Sequence, residues 1–191
     1  MGEKLLLHAC CAPCATVGTA RLSDEGYDVT LYFYGGNIHP RQEWERRLKS
    51  LQILAADHSM PLIARPYDVS EWKDATAGLE NEPEGGARCA VCMKLQLASA
   101  ARAAREAGIG KLCTSLTLSP QKNPTLINGW GRAVAGANSL LWEERIWRKK
   151  GGFLFSLEES RRLGLYRQNY CGCGCSMRHL SVNGEQKPLQ R

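Results

Sequence analysis

The residues best suited to chemistry in this chain are its cysteines. The sequence holds nine, and eight of them fall into three short groups: Cys10-Cys11-Ala12-Pro13-Cys14, Cys89–Cys92 and Cys171–Cys175. Two residues between thiolates let both sulfurs turn toward one metal ion or cluster edge. The single glycine between the cysteines of the third group favours a strained or metal-bound pair over an ordinary disulfide. This grouping predicts metal binding, redox chemistry or both.

Three kinds of cysteine site fit this pattern. A structural zinc site needs four ligands and leaves several thiols unused. A thioredoxin-like dithiol could use Cys11 and Cys14 alone, but it gives the other groups no role. An iron–sulfur cluster with additional redox thiols accounts for most of the cysteines, and it is the favoured interpretation. The isolated Cys113 is expected to be a small buried hydrophobic residue.

The apolar runs of the chain are short. A membrane-spanning helix needs about 20 apolar residues, and the N-terminus lacks the pattern of a secretory signal. We therefore expect a cytoplasmic protein that does not contact a membrane. In a reducing compartment, dense cysteines more often bind metal or carry out redox work than form structural disulfides.

Positive charge is concentrated towards the C-terminus. The formal net charge is +6, and the segment 145–178 is rich in lysine and arginine. Such a surface suits a nucleic-acid backbone, although a solvated positive face fits the charge equally well. The residues predicted to contact RNA are Lys149, Lys150, Arg161 and Arg162. Among the aromatic residues, Trp147 is the best candidate for stacking on a base, whereas Trp44 and Trp130 are expected in the core.

Predicted strands and helices alternate along the chain. The expected strands are 5–9, 28–34, 62–67 and 111–116, and the expected helices are 15–25, 40–58, 90–107 and 125–135, with a further helix starting at Ser156. This order predicts an α/β domain with a mostly parallel sheet and helices on both faces. We expect one domain over residues 1–178 and a polar, flexible tail over 179–191. Cysteines and the loop carrying His39 follow strand ends, so they should meet at one edge of the sheet.

Five motifs in order resemble those of the QueH family of epoxyqueuosine reductases. They are Leu7-His8-Ala9-Cys10-Cys11-Ala12-Pro13-Cys14, Gly36-Asn37-Ile38-His39-Pro40, the segment 82–92, the segment 117–123 and the segment 166–173. The resemblance spans roughly residues 4 to 178. It implies a nucleotide α-hydrolase-like (HUP-like) core without the ATP-binding glycine loop, followed by a cysteine-rich C-terminal part. It also implies reduction of epoxyqueuosine to queuosine at the tRNA wobble position without cobalamin.

The family resemblance assigns roles to individual cysteines. Cys10, Cys11, Cys89 and Cys92 match the ligands of a 4Fe-4S cluster, and Cys171 and Cys173 match a redox pair. Cys14 matches a position that suggests an accessory iron ion, whereas Cys175 departs from the family pattern. The expected partners are tRNA and an external electron donor.

The proton donor and the competing functions stay open at this stage. His39 is a candidate acid by its position after a strand, and His8 is more simply a packed strand histidine. The main alternative function is a non-catalytic, zinc-bound RNA-binding module. A tRNA-thiolating ATPase of related fold is disfavoured because no phosphate-binding glycine loop follows the first strand.

Overall fold

The structure is a computed structural model that describes residues 2–177. Within these residues the chain forms a five-stranded, all-parallel sheet in the order β3-β2-β1-β4-β5. The strands are β1 (Lys4–His8), β2 (Asp28–Phe33), β3 (Leu62–Ala64), β4 (Lys111–Thr114) and β5 (Leu141–Trp142). The predicted α/β fold with a parallel sheet is therefore confirmed. The predicted domain limit at residue 178 and the tail 179–191 lie outside the described residues.

Six α-helices lie wholly within the described part of the chain. They are α1 (Ala12–Asp24), α2 (Arg41–Asp57), α3 (Ser70–Ala75), α4 (Ala87–Glu106), α5 (Pro124–Ala137) and α6 (Gly152–Arg162), and a short 3-10 helix covers Ser115–Leu118. None of the helices in residues 2–177 is long and apolar enough to cross a membrane.

The core has two parts, one on each face of the sheet. Successive side chains of a strand point to opposite faces, so Leu5 and Leu7 pack into one core and Leu6 into the other. The first core is closed by α1 and α2, and the second by the alanine-rich α4 together with α5. This explains why the centre of β1, Leu5–Leu7, is uniformly apolar, since both of its faces are buried.

Helix α6 begins earlier than its sequence suggests. Ser156 was expected to cap the helix, but the helix starts at Gly152 and Ser156 lies inside it. The buried Ser156 hydroxyl donates to the carbonyl of Pro13 at 2.7 Å, across the contact between α6 and α1. The prediction was wrong because a serine followed by two glutamates resembles a helix cap, and only the tertiary contact shows the different use of its hydroxyl.

Helix α3 was not predicted, because its segment has no clear periodicity. It is held by Glu71, whose carboxylate accepts from Arg65 at 2.5 Å and from Arg102 at 2.9 Å. These ion pairs attach α3 to the end of β3 and to α4. The helix thereby fixes the buried Trp72 beside the cysteines of the C-terminal group.

The loops that follow β1, β2 and β4 meet at the carboxyl edge of the sheet, as the topology predicts. The chain leaves β1 through Ala9, whose N–H donates to the carbonyl of Tyr32 in β2. On the other side, the N–H of Cys10 donates to the hydroxyl of Ser115 just after β4 at 3.2 Å. The first cysteine group is thus anchored between two neighbouring strand ends.

Candidate active site

Three thiols meet where β1 ends and α1 begins. The Sγ atoms of Cys10, Cys11 and Cys14 all lie within 4.8 Å of one another. Cys11 occupies the N-cap position of α1, and Pro13 stands in the first turn, where its missing N–H costs no hydrogen bond. The position at a helix N-terminus also favours negative charge on sulfur.

Without a bound cation, only one of the three thiols is expected to lose its proton. Hydrogen bonds from Cys10 and Cys14 lower the pKa of Cys11 well below its ordinary value. Hydrogen bonds with Cys10 and with Cys11 raise the pKa of Cys14 above its ordinary value, and the hydrogen bond with Cys11 raises the pKa of Cys10 to about 12. One thiolate held by two thiols is therefore the favoured state. A metal ion would displace the remaining protons, since thiolates are the form that binds metal.

The second cysteine pair lies in the first turns of α4. The Sγ of Cys89 accepts from the N–H of Gly85, and that of Cys92 accepts from the side-chain amide of Gln96, both at 3.2 Å. Burial, followed by the charge at Cys171, raises the pKa of Cys92 to about 12. Cys92 is therefore close to the third cysteine group, and it too holds its proton in the absence of a cation.

The third group is fixed by a buried arginine of α2. The guanidinium of Arg47 donates to the carbonyls of Cys171 at 2.9 Å and Tyr170 at 3.2 Å. The carboxylate of Glu43, one turn earlier in α2, holds this arginine at 2.8 Å. The N–H of His39 adds a hydrogen bond to the carbonyl of Gly172 at 2.8 Å.

Glycine is required between Cys171 and Cys173. Gly172 has a φ of +137°, and a Cβ built on it would lie 3.1 Å from Nη1 of Arg47. Beyond it, the buried Cys173 Sγ accepts from the N–H of Ser176 at 3.4 Å. The backbone therefore keeps the thiol of Cys173 buried, whereas Cys171 stays partly exposed.

All three groups face one cavity of about 780 Å³. Of the described residues, six cysteines line it: Cys10, Cys14, Cys89, Cys92, Cys171 and Cys173. Cys11 is buried directly beside Cys10. The structure thus brings three of the four predicted cluster ligands and the predicted redox pair to one cavity, and the fourth predicted ligand, Cys11, lies next to Cys10. Within residues 2–177, however, the close group is Cys10, Cys11 and Cys14, and it does not include Cys89 or Cys92.

Lys122 is a site residue whose role sequence reasoning missed. It comes from the loop after the 3-10 helix, and its Nζ lies 3.9 Å from Sγ of Cys171. Burial opposes the charge of this lysine, but the negative charges at Cys171 and at the first cysteine group outweigh burial and raise its pKa. Arg148 holds the loop by donating to the carbonyls of Ser119 and Lys122, both at 2.9 Å. A sequence signal existed, since Lys122 belongs to one of the five motifs.

The two histidines near the site differ in position. His8 is buried in β1, where Nδ1 contacts the hydroxyl of Thr114 at 2.9 Å and burial lowers its pKa to about 4. It is the packed strand histidine that the sequence suggested. His39 lines a second, smaller cavity rather than the cysteine-lined one, with its ring 5.3 Å from that of Trp72. Burial, followed by the charge of Lys73, lowers the pKa of His39.

The predicted RNA-binding residues lie apart from the thiols. Arg21, in the last turn of α1, donates to the carbonyl of Lys150 at 2.9 Å and to that of Lys149 at 3.4 Å. Both lysines therefore lie near the end of α1 that is remote from Cys11. Arg162 forms ion pairs with Asp57 and Glu159, and its neighbour Arg161 is exposed. RNA contact by these residues stays a prediction.

Two predictions about tryptophans were wrong. Trp147 is buried and donates from Nε1 to the carbonyl of Thr114 at 2.7 Å, so it is not free to stack on a base. Trp130, expected in the core, lines the cysteine-lined cavity, with Nζ of Lys94 5.4 Å from its ring. Both residues are large and apolar, and only the packing decides which of them faces solvent.

Comparisons with known proteins agree with this geometry. A family model described as "Epoxyqueuosine reductase QueH" matches residues 5–179. A protein of that name from Acinetobacter baylyi is 40% identical over 177 residues, covering 92% of this chain and 81% of the relative. Another, from Histophilus somni, is 38% identical over 190 residues, covering 97% of this chain and 78% of the relative.

A solved structure shares the fold. It is a predicted subunit of a tRNA methyltransferase from Methanocaldococcus jannaschii, with a TM-score of 0.57 and 11% sequence identity. The match covers 83% of this chain and 75% of that protein. At this level of identity the likeness concerns the fold alone.

Proposed function

The chain belongs to the epoxyqueuosine reductase QueH family, and we propose that it removes the epoxide oxygen of epoxyqueuosine in tRNA to give queuosine. The observation that carries this proposal is the meeting of three cysteine groups at one cavity. Such a site combines metal-binding thiols with a separate dithiol. Its volume of about 780 Å³ lies in the usual range for a small-molecule site, about 300–1,000 Å³.

The thiols of the cavity suit an iron–sulfur cluster. A 4Fe-4S cluster is held by four cysteines, and we propose Cys10, Cys11, Cys89 and Cys92 as its ligands, with Cys14 binding an accessory iron ion. Three of these five sulfurs already lie within 4.8 Å of one another. When bound, the iron supplies a Lewis acid for the epoxide oxygen and a carrier of single electrons.

The Cys171/Cys173 dithiol can supply the electrons and protons that the reaction consumes. Converting an epoxide to an alkene and water consumes two electrons and two protons. Oxidation of two thiols to a disulfide releases the same number of each, so the dithiol supplies both without cobalamin. Cys171 is the partly exposed thiol beside Lys122, and Cys173 is the buried one. An external donor must then reduce the disulfide.

Two further residues, Trp130 and His39, are proposed to act on the reacting base and in proton transfer. Trp130 presents an aromatic ring to the cavity, where an unstacked base could pack against it. His39, proposed as a proton donor, faces the second cavity and not the cysteine-lined one. The dithiol protons make a separate acid unnecessary for the overall balance.

Metal analysis and turnover test the proposal together. Anaerobically purified protein should be brown and contain iron and sulfide; a colourless protein with one zinc ion would instead favour the non-catalytic RNA-binding module. Turnover is measured as loss of epoxyqueuosine from tRNA of a strain that accumulates it. Cys173→Ser should abolish turnover but keep the cluster absorbance, since Cys173 is proposed as a redox residue and not a ligand.

A matched control is available in Cys113. This thiol is buried in β4, outside the cysteine-lined cavity, so Cys113→Ala should keep both iron and turnover. Loss of the cluster in Cys173→Ser, with the cluster intact in Cys113→Ala, would show that Cys173 is a ligand and that the redox assignment is wrong.

A further inference from the structure

A second cavity of about 340 Å³ adjoins the cysteine-lined cavity. Trp72 and Arg88 line both cavities and form the wall between them. The second cavity is the one that His39 faces, and Cys175 contributes a thiol to it. None of the residues proposed to hold the metal, and neither member of the Cys171/Cys173 pair, is among the described residues that line this second cavity.

The second cavity is built to receive an anionic group. The Arg88 side chain is only 2% exposed, and its Nη1 donates to the carbonyls of Leu79, Glu80 and Glu82. Its Nε and Nη2, like Nε2 of His39, find no hydrogen-bond partner within residues 2–177. Buried donors without acceptors are unfavourable, so a ligand that carries acceptor oxygens would satisfy the two guanidinium nitrogens of Arg88.

The charges of the residues that line the second cavity also favour an anionic ligand. Lys73 adds a second positive charge beside Arg88, and Glu80 supplies one carboxylate. The two cations therefore exceed the anion by one, while His39 is neutral at pH 7 because its pKa is lowered. A small anion is favoured over a small cation.

Cys175 connects the two cavities. It packs with Cys173 and Trp72 in one buried cluster, while its own cavity is the second one. Cys173 lines the first cavity. The intervening residue is Gly174, and glycine has the wide range of backbone conformations that a bond between two such closely spaced sulfurs requires. Cys175 is thus the thiol through which a reductant in the second cavity can reach the redox pair.

We propose that Cys175 is a relay thiol and that the second cavity binds a small thiol bearing an anionic group. This proposal rests on the proposed function, in which turnover leaves a Cys171–Cys173 disulfide. The Cys175 thiolate attacks Sγ of Cys173, and Cys171 leaves as a thiolate. The external thiol then attacks Sγ of Cys175, releasing Cys173. A second molecule of the external thiol attacks the mixed disulfide, so two external thiols become one disulfide and Cys175 is restored.

The relay separates reduction from substrate binding. Cys171 is reached through the cysteine-lined cavity, which the modified base would fill. A reductant that used this route would have to wait for the RNA to leave. Reduction through Cys175 uses the opposite side of the wall formed by Trp72 and Arg88. Both disulfides of the relay join cysteines separated by one glycine, so both are strained, and strained disulfides are more easily reduced by the external thiol.

The test follows re-reduction of the oxidised protein. Protein purified anaerobically is oxidised either by one turnover or by diamide, and then mixed with 3-mercaptopropionate or with the cationic cysteamine. Rates are normalised to thiolate concentration. Disulfides are trapped by alkylation and assigned by peptide mass spectrometry. We expect the wild-type mixed disulfide on Cys175 and a rate at least about tenfold higher for 3-mercaptopropionate.

Two variants complete the test. Cys175→Ser should complete one round of deoxygenation and then stall, with re-reduction at least about tenfold slower. Lys73→Ala, an exposed change on α3, should lose much of the preference for the anionic thiol while keeping the mixed disulfide on Cys175. A mixed disulfide on Cys171, or re-reduction of Cys175→Ser at the wild-type rate, would overturn the relay and leave the proposed function intact. If the wild-type protein carries out no deoxygenation in the first round, the proposed function is refuted. The relay is still tested in that case by the re-reduction of protein oxidised with diamide.

Discussion

Replacing Arg47 by methionine removes a charge that is almost completely buried. The side chains of Arg47 and Glu43 are 2% and 5% exposed, and their ion pair spans one turn of α2. The same arginine donates to the carbonyls of Tyr170 and Cys171. Its loss therefore leaves a carboxylate without its cation and two carbonyls without their donor.

The expected loss of stability is large because the partners of Arg47 cannot form hydrogen bonds with water instead. Removing one member of a buried ion pair costs about 3–5 kcal/mol, which corresponds to roughly 6–20 °C in melting temperature for a chain of this size. Arg41 supplies a matched control in the same helix. It pairs with Glu45 at the same spacing, but these side chains are 68% and 55% exposed, so Arg41→Met should cost only about 0.3–0.5 kcal/mol.

Urea denaturation of the two variants, followed by circular dichroism, measures both values. A third protein, Arg47→Met with Glu43→Gln, removes the unpaired carboxylate and should be at least about 1 kcal/mol more stable than Arg47→Met alone. Equal destabilisation by Arg47→Met and Arg41→Met, within about 0.5 kcal/mol, would refute the role of Arg47 as the buried anchor of the Cys171 segment.

Three further predictions follow from the site. Gly172→Ala should destabilise the protein by about 1–3 kcal/mol because of its positive φ, whereas Gly174→Ala, with open space at its Cβ, should not; thermal melts of the pair decide this. Lys122→Met should lower the iron content per chain, since thiolate charge loses its buried cation, while the exposed Lys49→Met should bind iron normally in the same colorimetric assay. Neutralising the four predicted RNA-binding residues should reduce the slope of log affinity against log salt by about 0.7–0.9 per lost phosphate contact; an unchanged slope in filter binding would exclude them.

The sequence alone determined the features that depend on local patterns. An apolar run such as Leu5–Leu7 predicts a strand buried on both faces, and a parallel sheet follows from the alternation of strands with helices. The cysteine spacings predicted metal and redox chemistry, because two residues between thiols set how far apart the sulfurs can be. The order of the five motifs then identified the family.

Only the tertiary structure decided which distant groups share an environment. Lys122 and Cys171 are 49 residues apart, and nothing in the chain near either residue shows that they meet. Arg47 resembles an ordinary helix arginine until the C-terminal segment packs over it, and Trp147 resembles an exposed aromatic until β4 accepts its indole N–H. Local sequence sets backbone conformation through short-range sterics and periodicity. Burial and charge at a side chain depend instead on partners that the fold brings together from far along the chain.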